Sequence, residues 1–207
     1  MLVYCDDNVL RAYFMRVLRK LVFPEDYQFE VPDGPTLAGS LMDRLLATLP
    51  YPPEEFLREN PALPWQRTPW AGFRHRMDAL YARDFSLANI EDRTLAAIAD
   101  LFGPLNLDTV AQAIHFARRN TITDRSGRPF DTSASVLRAR WPQRGTVSIH
   151  GCENGLVDVK TVEAMRSQMA HAGIHYRAIE IPGYGHQDCL IGRHAARDVF
   201  PHIAANL

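Results

Sequence analysis

The densest run of chemically useful residues is Gly183-Tyr-Gly-His-Gln-Asp188. An imidazole in a glycine-flanked loop is accessible and titrates near neutrality, so His186 suits a general base. Such a base needs a partner on its second ring nitrogen. An acid there fixes the tautomer and stabilises the imidazolium formed during reaction. The run His150-Gly-Cys-Glu-Asn-Gly-Leu-Val-Asp158 lies about 30 residues earlier and offers Glu153 and Asp158. Each residue also has a plainer reading: a loop histidine bonded to backbone for His186, solvated carboxylates for Glu153 and Asp158. Cys189 suits a buried packing thiol better than a thiolate partner. Asp188 suits the N-cap of a following helix better than a catalytic acid.

The other histidines (His75, His115, His150, His171, His175, His194 and His202) are scattered, and none sits in a His-Glu-x-x-His pattern, so no metal is expected. The Gly-x-Gly at 183–185 lacks the third glycine and helix opening of a dinucleotide loop. No cofactor is expected.

Two kinds of sequence must position these groups, with a seam near residues 121–144. The first region, 1–135, reads as a mostly helical cap. Leu10, Tyr13, Phe14, Val17, Leu18 and Leu21 recur at helix spacing, as do Leu37, Leu41, Leu45 and Leu49. Prolines between 50 and 69 interrupt any regular element. Phe73, Met77, Leu80 and Tyr81 predict a short third helix. Asp92 as N-cap and Gly103-Pro104 as stop bound another. A further helix begins near Asp108, with Val110, Ala113, Ile114 and Ala117 on one face. Thr123 to Pro129 is turn chemistry. Trp65, Trp70 and Phe73 suit cap packing, or the lining of a lipid-sized pocket.

The second region, 136–207, changes period. Strands are expected at 146–150 and 176–181, a helix at 159–170, and a last helix, kinked at Pro201, after the histidine loop. This βαβα order implies parallel strands joined by a crossover, and ligands bind past the carboxyl ends of such strands. Both candidate loops occupy that place. Two parallel strands are too few for a buried sheet: either a strand near Met1–Tyr4 or strands within the segments read as loops add to it, or a protein partner or further chain completes it.

The run from Gly183 through Gly-Arg-His-Ala-Ala-Arg-Asp-Val-Phe-Pro201, together with Val147-Ser-Ile-His-Gly-Cys-Glu-Asn-Gly-Leu-Val157, resembles the histidine and acid motifs of one α/β-hydrolase group. That group includes domains associated with cholesterol-oxidase-like GMC oxidoreductases and is distantly similar to the acid lipases. The likeness covers 141–207, and more weakly 72–130 as cap. It implies an α/β fold of incomplete α/β-hydrolase type: a helical cap, then the last two parallel strands and their helices. It implies a serine hydrolase acting on esters of lipophilic substrates, within lipid metabolism, with His186 as catalytic base. The group's acid falls at position 154, which is asparagine here. Glu153 and Asn154 are therefore equal candidates to orient His186, with Asp158 behind them.

No Gly-x-Ser-x-Gly elbow exists in the chain, and no Gly-rich oxyanion loop. Ser40 sits within a helical stripe. The resemblance then implies that nucleophile-bearing strands lie ahead of Met1, and that this chain is inactive alone. The alternative is a non-catalytic interaction module docking on a hydrolase or GMC-type oxidoreductase partner.

Composition narrows the field further. The 207 residues carry a formal charge of −1, which gives no field for a polyanion, so nucleic acid is not an expected partner. Three cysteines without a Cys-x-x-Cys argue for a reduced, cytoplasmic setting. The amino terminus lacks the basic and apolar regions of a signal peptide. No apolar run reaches the roughly 18 residues of a membrane span.

Overall fold

The computed structural model describes Cys5, Met77 and residues 84–102, 107–142 and 144–207. The helical stripes at 9–21 and 37–49, the proline-rich stretch, Trp65, Trp70 and Phe73 lie outside the described residues. Of the expected third helix only Met77 is described; it is helical and fully buried.

The described chain mixes helices with one small parallel sheet. After the helical Met77, a 3-10 turn spans Leu87–Asn89. Helices α1 (Asp92–Ala96), α2 (Ile98–Leu101), α3 (Leu107–Arg119) and α4 (Ala134–Arg140) follow. Then come β1 (Thr146–Gly151), α5 (Lys160–Ala172) and β2 (Tyr176–Ile181). Three short helices close the chain: α6 (Asp188–Ile191), α7 (Ala195–Asp198) and α8 (Phe200–Ala204). No described helix is long and apolar enough to cross a membrane.

The expected helix from Asp92 is real but interrupted. Glu91 rather than Asp92 takes the N-cap position, and Ala97 leaves helical geometry at φ −96°, ψ 7°. No breaker marks that point; alanine is the best helix former. The interruption lies between Leu95 and Ile98, both buried, and propensity does not account for it. On α3, Ala117 is buried as expected, but Ala113 is exposed. The turn at 123–129 forms as its residues require. The Asp124 carboxylate accepts from the Ser126 and Arg128 amides, each at 2.9 Å, and Thr123 bridges Pro129 in antiparallel fashion. The seam region holds α4, which is tied to α5 by Arg138 donating to the Ala172 carbonyl at 3.1 Å.

β1 and β2 pair in parallel, Thr146 opposite Tyr176 through Gly151 opposite Ile181. Strand side chains alternate, so each paired row shares a face. One row brings Ile149, Ile179 and Ile181 against Tyr184, Cys189, Ala195, Val199 and Ile203, which is the core beneath the closing helices. The other row carries Ser148, whose hydroxyl meets the Tyr176 hydroxyl at 2.7 Å, and His150 beside Glu180. Among the described residues each strand pairs only with the other.

α5 buries Val162, Met169 and Ala172 and ends at Gly173, whose φ of 70° is left-handed. The last expected helix is instead three. A Cβ at Gly192 would overlap the Asp188 carbonyl, which fixes the first break at a glycine. Pro201 does not kink a helix; it lies in the first turn of α8, where its missing amide costs nothing.

Candidate functional site

The two loops leave the carboxyl ends of paired strands and are bonded to each other. The Cys152 amide donates to the Ile181 carbonyl at 3.0 Å, and the Glu153 amide to the Tyr184 carbonyl at 2.8 Å. This fastening needs a very close approach. A Cβ on Gly151 would overlap the carbonyl oxygens of both Tyr184 and Gly185.

The fastening brings Asn154 to His186. Asn154 Nδ2 and His186 Nδ1 stand 3.1 Å apart. The Asn154 side-chain oxygen is already engaged: it accepts from the Leu156 amide at 2.9 Å and the Val157 amide at 3.0 Å. The residue thus shapes its own loop and meets the histidine at once. Its carbonyl accepts from the Cys5 thiol at 3.6 Å.

The other two candidates are not brought to the ring. Glu153 is exposed, and its side chain makes no hydrogen bond or ion pair among the described residues. Asp158 serves α5: its carboxylate accepts from the Lys160 amide at 2.8 Å, at the end where helix amides lack partners.

His186 is held from below by residues whose role the sequence did not reveal. Its amide and that of Gln187 both donate to the Asp84 carbonyl at 2.9 Å. Asn89 donates to the Gly183 carbonyl at 2.6 Å and to Asp188 at 2.7 Å. Asp188 therefore does not cap α6; Gln187 occupies that position, and the fully buried Asp188 carboxylate grips segment 84–90 instead. Phe85 and Ile90 of that segment are buried. The one legible signal was the short apolar cluster Phe85, Leu87 and Ile90, whose uneven spacing fits neither a helix nor a strand. On the far side, the buried Tyr184 donates its hydroxyl to Asp198 at 2.9 Å. Burial first, then that bond, pushes the phenol up to about 12. Asp198 is held down at about 2, mainly by Arg197 and then by Tyr184. Cys189 is the packing thiol expected: it is buried, donates to the Gly185 carbonyl at 3.4 Å, and is pushed up to about 11 by desolvation.

The surroundings of both histidines favour the neutral ring. His186 is exposed as a residue, yet enough protein surrounds its ring that desolvation is the largest influence and lowers its pKa. A proton on His150 would push the same way, and Asp188 opposes. His150 is also lowered, chiefly by desolvation, against Glu180 and Asp158; its Nε2 is buried without a hydrogen-bond partner. A histidine depressed on folding stabilises the fold above its unfolded pKa and loses that contribution as pH falls through its folded one. The midpoint of thermal unfolding should therefore drop as pH falls from about 7 to about 5. Histidine-to-glutamine changes at 150 and 186 should flatten that slope. A midpoint that holds constant across the interval contradicts the assignment. Asp198 contributes separately, at much lower pH.

His171 and His175 stand four residues apart, but Gly173 ends α5 between them, so they do not share a helix face. No group of three metal-ligating side chains occurs among the described residues. No protein-family model, curated protein or solved structure matches this chain.

Proposed function

We propose that this chain is the histidine-bearing part of a serine-hydrolase site for esters of lipophilic substrates, and that it is silent by itself. The observation that carries this reading is the meeting of His186 and Asn154 at 3.1 Å beyond the carboxyl ends of two parallel strands. Catalytic groups of open α/β sheets converge at that end. In a complete site His186 faces a serine activated on a strand-to-helix turn, and the reaction passes through an acyl-enzyme. The sequence contains no Gly-x-Ser-x-Gly, so on this reading the nucleophile comes from other polypeptide. The finer assignment, an incomplete α/β-hydrolase fold with 1–135 as cap, belongs to this reading.

The pure chain should hydrolyse a p-nitrophenyl ester no faster than its His186→Ala variant. Fused or co-expressed with a segment bearing a Gly-x-Ser-x-Gly turn, it should gain slow turnover that His186→Ala removes. Turnover by the chain alone that depends on His186 would overturn the reading. One observation favours the second reading, a docking module: each strand has a free edge among the described residues. Both readings call for a partner that completes the sheet. They part on whether the complex hydrolyses esters.

A further inference from the structure

The side-chain amide of Asn154 has only one arrangement that fits its neighbours. Its oxygen lies 2.9 Å and 3.0 Å from two backbone N–H groups, those of Leu156 and Val157. Rotating the amide by half a turn would set its NH2 against those donors. The oxygen therefore faces the backbone, and Nδ2, a donor only, faces His186 Nδ1. A donor requires a lone pair opposite it. Nδ1 must then be unprotonated, and the proton of the neutral ring sits on Nε2.

From this we infer that Asn154 is a positioning residue that locks His186 in the Nε2–H tautomer, so that the ring offers a hydrogen-bond donor where a hydrolase needs a base. The lone pair that would take a serine proton is turned onto Asn154. Protonating the ring would set N–H against N–H, so Asn154 opposes the imidazolium as well. The Nε2–H makes no hydrogen bond among the described residues, and it suits an acceptor oxygen of a carbonyl or carboxylate group. An aspartate at 154 would reverse every sign. One carboxylate oxygen would keep both backbone amides, and the other would accept from Nδ1–H, freeing Nε2 as a base.

The inference rests on the hydrolase reading only for its consequence; the tautomer follows from the hydrogen-bond geometry around Asn154. The experiment is a long-range proton–nitrogen correlation spectrum of the full chain, with the histidine nitrogens labelled. His186→Gln assigns the signals. Wild type should show an unprotonated Nδ1 and a protonated Nε2. Asn154→Asp should exchange the two and raise the pKa of His186. Asn154→Ala should give a mixture. A wild-type Nδ1–H overturns the lock whatever the variants do, and so does an Nε2–H that persists undiminished in Asn154→Ala. If a nucleophile-bearing partner gives turnover, Asn154→Asp should raise it by up to about 10⁴-fold, the loss that asparagine in place of the triad aspartate causes in a serine protease. Failure of that arm with the tautomers as stated would count against the hydrolase reading and leave the lock standing.

Discussion

Adding one methyl group at Gly151 should cost at least about 3 kcal/mol of stability and separate Asn154 from His186. The backbone of Gly151 is ordinary, so conformational strain is not the cause. Space is: the new Cβ would overlap two backbone carbonyls, those of Tyr184 and Gly185. Backbone cannot rotate out of the way as a side chain can. The histidine loop must lift from the end of β1, breaking the bond from the Glu153 amide to the Tyr184 carbonyl. Gly183→Ala is the control in the same loop. It pays for a left-handed φ of 75° but meets nothing within 4 Å, so it should cost only about 1–2 kcal/mol. Urea midpoints measure the difference. Equal losses at 151 and 183 would show that the close approach carries no weight.

Asp188→Ala should lower stability by about 3 kcal/mol, or about 6–12 °C in the unfolding midpoint. The carboxylate is fully buried, and Asn89 donates to it at 2.7 Å. Hydrogen bonds to a charged group are worth about 1.5–3 kcal/mol, and removing the acceptor also strands Asn89. The damage should be local in a defined way. Amides of 84–90, and those of His186 and Gln187 that donate to the Asp84 carbonyl, should exchange hydrogen faster. Glu163→Ala, which removes an exposed partner of Arg166, should leave the midpoint unmoved. If Asp188→Ala behaves like Glu163→Ala, the clamp contributes nothing to the fold.

Together these two changes separate the supports of the histidine loop. Gly151 allows it to lie against the strand end. Asp188 and Asn89 fasten it to segment 84–90. Tyr184 and Asp198 tie it to α7. Three supports converge on the histidine loop, and that convergence is how it holds an imidazole within 3.1 Å of its partner.

Elements with strong local signals were legible in the sequence. Alternating β-branched residues gave β1 and β2, and their connection through a helix gave the parallel pairing. Gly173 stopped α5, and the Asp124 turn followed from its own side chain. His186 and the 153–158 loop were placed at the carboxyl ends of those strands by order alone. These features depend on residues near one another in the chain, so periodicity and turn chemistry carry them.

Three others could not be read that way. The break of α1 from α2 at Ala97 runs against helix propensity, and no residue at that point announces it. The grip of Asp188 on Asn89 links groups 99 residues apart, and a buried aspartate and a helix-capping one look identical in sequence. The choice of Asn154 over Glu153 turned on which side chain points at the ring, and neighbouring residues in a turn point in different directions. Sequence determined the kinds of group available and the end of the sheet where they gather. Tertiary contacts decided which one meets the histidine and through which atom, because that depends on a bond network closed across the fold.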